Sequence, residues 1–271
     1  MIEQLLDNLI TEEKFNIILF YANLLCPNLY NSKYDNEYYL INILSILNIN
    51  VSWKSLQYSK LINSSSKYHY KTIQKKHQLW ATYNVYYYTY LRITKNNEIT
   101  EDLFIDNTLI VNKYGCENVG YGNGESRKKK YTSLTTVIND NNKPVVIFDN
   151  KTNNKLINKN TIKTLPHDTN SLLQSIKKLN KKISKKTNII GDKGFIINPS
   201  KITDININLI TPKRTNQKTR NTEQEKIKLK KRSVIEMWFG RLKNFNRIMV
   251  RRDKLITTFM GFVYLGCICI N

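Results

Sequence analysis

The sequence predicts an α/β domain from about residue 99 to the end of the chain, preceded by a small all-α region over residues 1–98. Three observations predict it. Residues 103–111 (Leu-Phe-Ile-Asp-Asn-Thr-Leu-Ile-Val) form a nearly unbroken apolar, β-prone run, the pattern of a strand buried on both faces. Residues 131–138 and 144–148, joined by Asn139-Asp140-Asn141-Asn142-Lys143, read as strand, turn, strand. Further on, short apolar runs alternate with helical periodicity, which argues a sheet with helices packed on it.

At 271 residues the chain is long enough for one large domain or two modest ones. Its charge is lopsided: 43 Lys+Arg against 21 Asp+Glu, a net +22. That surplus favours a polyanionic partner, nucleic acid before an anionic membrane surface. Four scattered cysteines (Cys26, Cys116, Cys267, Cys269) and three histidines exclude a zinc-ligand spacing and fit a reducing compartment. The amino terminus lacks the pattern of a signal peptide, so an intracellular location is expected. The uncharged run 255–270, apart from being apolar, is too short for a usual membrane span and reads as a buried terminal helix.

In the first region, residues 38–47 are apolar all round, as in a core helix. After Ser64-Ser65-Ser66, residues 70–80 form a second helix with a basic face. Two helices joined by a tight turn, the later one basic, suit a helix-turn-helix DNA reader; a plain helical bundle fits the same pattern. The tyrosines of 83–91 suit either base stacking or core packing.

In the second region, Asp106 interrupts the apolar strand, where a carboxylate is costly unless neutralised or bound to metal. The loop 120–130 is glycine-rich but leads into a strand, so it is no nucleotide-binding loop; with Lys128 and Lys129 it is assigned to the DNA backbone. Asp149 reads as a turn residue, and a helix is expected from Asp168 through Leu172, Leu173, Ile176, Leu179 and Ile183. Residues 187–195 form a short strand ending in Gly191-Asp192-Lys193-Gly194, and a carboxylate at a strand's C-terminal end is where α/β sheets place reactive groups.

Residues 229–247 read as a single helix. Ile235, Trp238, Phe239, Leu242, Phe245 and Met249 form its apolar stripe. Glu236 stands at the edge of that stripe, with Arg232, Lys243 and Arg247 along the same edge. One reading is simple i,i+4 pairing of Arg232 with Glu236, worth a few tenths of a kcal/mol. The other is a metal-binding carboxylate among phosphate-binding cations. Asp106, Asp192 and Glu236 together would make an oxygen-rich site for two Mg²⁺ or Mn²⁺ ions, the arrangement that supports in-line phosphodiester displacement.

These residues resemble the DDE transposases of bacterial insertion sequences. The landmarks are Asp106-Asn107-Thr108, Leu165-Pro166-His167-Asp168, Gly191-Asp192-Lys193-Gly194-Phe195, and the block 232–248 followed by Arg251-Arg252-Asp253-Lys254. Arg232, Glu236 and Lys243 fall at the spacing of the family's Tyr-x2-Arg-x3-Glu-x6-Lys signature, with Leu229 at the Tyr position. The resemblance implies a ribonuclease H-like mixed five-stranded sheet of order 3-2-1-4-5, flanked by helices, over residues 99–271. It also implies a catalytic, metal-binding triad of Asp106, Asp192 and Glu236. Phosphates would be gripped by Arg232, Lys243, Arg247, Arg251, Lys193, Lys128 and Lys129. The expected cofactor is a pair of Mg²⁺ (or Mn²⁺) ions, with no nucleotide cofactor. The expected partner is double-stranded DNA (terminal repeats and a target site), with a homodimer on paired ends left open and no membrane. The expected reaction is hydrolysis at an element's end, then attack of the freed 3′-OH on target DNA. A nuclease that cuts without joining, and a decayed transposase that only binds DNA, are the alternatives.

Overall fold

The computed structural model describes residues 9–26, 35–49, 52–56, 69–95, 97, 99–122, 129–157, 160–180, 183–198, 200, 202, 206–214 and 219–271. In chain order the described elements begin with α1 (Glu12–Leu25), α2 (Asn36–Asn48), α3 (Trp53–Leu56), α4 (Tyr70–Thr82) and α5 (Val85–Thr94). Strands β1 (Asp102–Asn112), β2 (Gly120–Tyr121), β3 (Lys130–Asn139), β4 (Pro144–Asp149), β5 (Asn153–Ile157) and β6 (Asn160–Thr164) follow. Next come α6 (Asp168–Leu179), β7 (Thr187–Ile190), a 3₁₀ turn (Lys193–Phe195) and β8 (Ile207–Ile210). The chain closes with α7 (Glu223–Lys230), α8 (Ser233–Lys243), α9 (Asn246–Met249), β9 (Val250–Arg251) and α10 (Ile256–Ile270).

The chain groups into two compact units. One comprises Met1–Lys95, Lys113–Glu117 and Arg241–Asn271; the other comprises Asn96–Asn112 and Asn118–Gly240. This differs from a division at residue 98, because the last 31 residues, Arg241–Asn271, group with the amino-terminal helices. The reason is α10, whose apolar side chains are buried nearly all round. Its backbone is tied to α4, where His77 Nε2 donates to the Thr258 carbonyl at 3.1 Å.

Within this unit α2 matches the sequence pattern. Asp35 caps it by accepting from the Tyr38 N–H at 2.9 Å, and Tyr39 through Leu47 are buried except for Ile41. In α4, Ile73, His77, Trp80 and Ala81 recur at i, i+4, i+7 and i+8 and are all buried. Lys76, on the expected basic face, instead leans over the Tyr39 and Trp80 rings, at 5.2 and 5.8 Å from their centroids. Ser64, Ser65 and Ser66, the expected turn before α4, lie outside the described residues. Of the tyrosines, Tyr86 and Tyr90 are core, whereas Tyr83 and Tyr88 are exposed.

In the second unit, β3 is the hub of the sheet. It pairs antiparallel with β1 on one edge (Asp106 opposite Thr136, Asn107 opposite Thr135) and with β4 on the other. Parallel to β1 lies β7, and parallel to β7 lies β8. The run β4-β3-β1-β7-β8 therefore reads 3-2-1-4-5 when these five strands are counted in chain order. The β3–β4 turn contains Asn142 with φ 59°, a left-handed position that Asn tolerates. A core of Leu103, Ile105, Val137, Phe148, Leu172, Ile176, Ile189 and Phe195, among others, lies between sheet and α6 residues.

Three local expectations differ from what is observed. Residues 120–121, expected in a loop, form β2, and Asn153 and Asn154, expected in the turn after Asp149, open β5, which pairs with β6 and continues the sheet through a parallel β2–β6 pair. Their Asn- and Lys-rich sequence lacks the apolar alternation that marks a half-buried strand. Residue Asp149 ends β4, accepting from Asn118 Nδ2 at 2.6 Å. The stretch 229–247 is not one helix but parts of α7, α8 and α9. At the first break the bonds tighten to i→i+3, from Lys231 N to Lys228 O and from Arg232 N to Leu229 O. No Gly or Pro marks the break, so periodicity alone carries the pattern across it.

His77 sets an acid limit for the helical unit. Its Nε2 donates to Thr258 O, so its Nδ1 accepts the Tyr86 hydroxyl at 2.8 Å, and the ring is held neutral. Complete burial pushes its pKa down to about 3, with the nearby Arg247 adding to the fall. The unfolded chain takes up the proton first, so this contribution is complete above pH 6.5 and is lost as pH falls toward 3. His77→Gln, which does not titrate, should lose less stability than the wild type between pH 7 and 4.5, by on the order of 2 kcal/mol. Thermal melts followed by tryptophan fluorescence at the two pH values measure the difference.

Candidate active site

Asp106 lies in β1 just past its most buried stretch, and its side chain is 19% exposed. One carboxylate oxygen, Oδ1, accepts from the Asn107 N–H at 2.8 Å, and the other lies 3.7 Å from the Arg232 guanidinium. Burial, outweighing both of these, raises its pKa to about 6; Asp192 and Glu236 push in the same direction by repulsion. The same two residues that the sequence singles out are thus electrostatic neighbours of Asp106.

Asp192 reaches this place through strand register. The last β1–β7 pair is Phe104 with Ile190, and Asp106 and Asp192 each stand two residues beyond it. At the C-terminal end of β7 the chain turns through Gly191 into the 3₁₀ turn, which Asp192 caps by accepting from the Gly194 N–H at 2.7 Å. Gly191 packs closely here: a Cβ would stand 3.0 Å from the Phe195 ring and 3.1 Å from Ile105, so those side chains would have to give by a few tenths of an ångström.

Glu236 sits in the first turn of α8, and its side chain is 57% exposed. The helix is anchored by Ile235, Trp238, Phe239 and Leu242, which are buried, whereas Met249, expected in the same stripe, is 46% exposed. Arg232 forms the link. It pairs with Glu236 at 3.0 Å and with Asp106 at 3.7 Å, so one guanidinium bridges two of the three carboxylates. The ion-pair reading of Glu236 is thus observed, and the same guanidinium places its carboxylate near that of Asp106.

Among the described residues, no group of three or more His, Cys, Asp or Glu side chains stands together as a ready metal cage. The residues nevertheless fit a hard divalent cation. Their donors are carboxylate oxygens. Thr136, directly opposite Asp106 in the ladder and so on the same face, is fully buried, and its hydroxyl finds no hydrogen-bond partner among the described residues.

The expected phosphate-gripping residues divide. Arg232 is at the site, and Lys193 is exposed next to Asp192. Lys129 is exposed at the start of β3, Lys128 lies outside the described residues, and Lys243 is half-buried in the first unit. For Arg247 and Arg251 the expectation is corrected. Arg247 is 4% exposed and makes two hydrogen bonds to Asp253, at 2.8 and 3.1 Å, while lying over the Trp53 and Phe262 rings. Arg251 is fully buried and donates to the carbonyls of Glu117, Asp253 and Lys254. Neither presents a guanidinium to an external phosphate. The turn at Asn244 and Phe245 breaks the helical phase that would have aligned Arg247 with Glu236.

Sequence reasoning missed a second polar group beside the aspartates. Asn107 Nδ2 donates to Asp168 Oδ1 at 2.6 Å, and Thr135 donates to Asn107 Oδ1. From its own sequence context Asp168 reads as a helix start. The signal was its place after Leu165-Pro166-His167, among the resemblance landmarks.

The fold and site define a mixed α/β protein in which Asp106 and Asp192 stand two residues beyond a shared strand pair and Arg232 links Asp106 to Glu236 on a helix. Comparison with known proteins then narrows the class. Residues 137–255, a little under half of the chain, match the family described as Transposase DDE domain. Over 38 residues the chain is 50% identical to a Brucella ovis protein whose name assigns it to transposition of the insertion sequence element IS6501. That match spans 14% of this chain and 29% of the relative's length. In fold, the chain is similar to the piggyBac transposase in its synaptic complex with hairpin DNA, with a TM-score of 0.54 and 12% identity, over 96% of this chain and 72% of that one. By these matches the chain is similar to the DDE transposases of insertion sequences.

A carboxylate kept partly protonated near neutrality costs stability when it ionises. The folded state holds its proton up to about pH 6 and the unfolded state only to the ordinary range near 3.8, so stability falls as pH rises between these values. Asp106→Asn should therefore melt higher than wild type at pH 8, by about 1–3 kcal/mol, with the gain vanishing below pH 4. Thermal melts across this range, without divalent cations, check it.

Proposed function

We propose that the chain is a DNA transposase that cuts a phosphodiester at the ends of its element and joins the freed 3′-OH to target DNA. The observation that carries this reading is the placement of Asp106 and Asp192 at matching levels of neighbouring parallel strands, with Glu236 tied to Asp106 through Arg232. The match to the transposase DDE domain includes Asp192 and Glu236. The strand order 3-2-1-4-5 supports a ribonuclease H-like sheet.

In this reading Asp106, Asp192 and Glu236 hold two Mg²⁺ or Mn²⁺ ions. Bound there, the ions would supply Lewis acidity toward phosphate oxygens and a nucleophile at neutral pH. Asp106 must lose its proton to act as a ligand, which a divalent cation favours against the cost of burial. Arg232, which now neutralises Asp106 and Glu236, is placed to turn toward a DNA phosphate once cations take over that role. Lys193 and Lys129 are exposed and add attraction for the phosphate backbone. The helices of residues 1–98 are assigned to binding the element's terminal repeats in double-stranded DNA, in line with the chain's net +22. Two copies on paired ends would complete the reaction.

Incubating the protein with end-bearing DNA, a target plasmid and Mn²⁺ tests the proposal. Wild type should give cut ends and joined products. Asp192→Asn and Glu236→Gln should each lower cleavage by about 100-fold or more while DNA binding persists. Cut ends without joined products would instead identify a nuclease, and cleavage by either variant near the wild-type rate would remove that residue from the triad.

A further inference from the structure

A chain of side-chain hydrogen bonds runs under the face of β1 opposite Asp106. Successive strand residues point to opposite faces, so Asn107 faces away from Asp106. Its amide is engaged at both ends. The Nδ2 group donates to Asp168 Oδ1 at 2.6 Å and to Ser171 Oγ at 3.3 Å, and Oδ1 accepts from Thr135. Asn150 extends the chain, donating to Ser133 and Thr135 at 2.8 Å and accepting from Ser171 at 3.1 Å. Ser133, Thr135, Asn150 and Ser171 are all buried, so this polar chain is shielded from water and its geometry is fixed.

Asp168 has a second contact that its hydrogen bond does not explain. A Cβ placed on Gly194 would stand 2.1 Å from Asp168 Oδ2 and 3.0 Å from Asp192 Oδ1. One oxygen of each carboxylate thus lies beside the position a Gly194 side chain would take, and any Cβ there would force Asp168, held by Asn107, to move. Asp168 is the first residue of the twelve-residue α6, where the helix dipole favours a carboxylate.

We propose that Asp168 is a positioning residue for the two aspartates: it holds Asn107, hence the β1 segment that carries Asp106, and it abuts Gly194, hence the turn that carries Asp192. A single side chain on α6 thereby registers two elements that must agree for their carboxylates to share a cation. The role is one of shape and hydrogen bonding, not of charge. It rests on the triad reading above and adds to it a residue outside the triad.

Cleavage as a function of Mn²⁺ concentration, together with the Mn²⁺-induced rise in melting temperature, tests the proposal in wild type, Asp168→Ala, Asp168→Asn, Gly194→Ala and the Asp168→Ala/Gly194→Ala double variant. Asp168→Ala should raise the Mn²⁺ needed for half-maximal cleavage by about tenfold or more, as expected when a residue behind metal ligands is lost. Asp168→Asn, whose amide oxygen still accepts from Asn107, should recover most of that loss. Gly194→Ala should be severely impaired, and the double variant less so, because removing the carboxylate relieves the clash. Asp168→Ala behaving as wild type, or Asp168→Asn being as impaired as Asp168→Ala, would overturn the positioning role. Melts without metal separate these effects from loss of folding. A wild-type chain showing neither cleavage nor a Mn²⁺ shift defeats the active-site reading itself, and the role of Asp168 falls with it.

Discussion

The structure turns on the burial of one carboxylate. Asp106 interrupts a strand whose preceding residues, Leu103, Phe104 and Ile105, are wholly buried, and its side chain is itself largely shielded. A carboxylate there is destabilising unless something compensates it. In the protein as it stands, the Asn107 N–H and the Arg232 guanidinium do so only in part, since the pKa stays raised. Several features surround that position. Arg232 is drawn between Asp106 and Glu236, Asp192 is brought alongside by the parallel β1–β7 register, and a buried Thr136 hydroxyl waits opposite. A carboxylate left incompletely compensated within a strand supports the proposed role of Asp106 as a cation ligand.

The positive charge of the chain has two separate uses. Some cations are structural: Arg247 is locked to Asp253, both 4% exposed, and breaking such a buried pair typically costs 3–5 kcal/mol, roughly the scale of a large core mutation. Arg251 is enclosed by backbone carbonyls in the same unit, and its guanidinium lies 5.4 Å from the Phe259 ring centre. Lys228 likewise pairs with Asp102 and Glu101 below β1. Other cations, among them Lys193 and Lys129, remain at the surface, where a polyanion can reach them. Net charge alone does not distinguish the two groups; burial does.

Much of the fold and the placement of Asp106 and Asp192 on it could be read from residues because the relevant patterns are local. The β1 run, the β3–β4 hairpin, the start of α6 at Asp168 and the strand-end position of Asp192 each follow from a few neighbouring side chains, and each is observed. What sequence did not reveal depends on contacts between distant segments. The β5–β6 hairpin joins the sheet through the Tyr121–Thr164 pair with β2, and Asn153-Asn154-Lys155 does not itself favour a strand. Arg247 is misplaced by an unbroken helix projected through Asn244 and Phe245, although its partner Asp253 lies only six positions on. Arg251 is assigned through the resemblance, and its bond to the Glu117 carbonyl, 134 positions away, is not announced by its own sequence context. Asp168 went unassigned for a similar reason: its partner Asn107 is 61 positions away.

The central claim is that Asp106, Asp192 and Glu236 meet at one divalent-cation site. The most direct measurement substitutes Fe²⁺ for Mg²⁺ and adds ascorbate and peroxide, so that radicals generated at the bound ion cut the nearby backbone, and the fragments are mapped by mass spectrometry. The account predicts three clusters of cuts, around residues 106, 192 and 236, that are suppressed by excess Mg²⁺. Cuts confined to other regions, or cuts at these three positions that excess Mg²⁺ does not suppress, would contradict it.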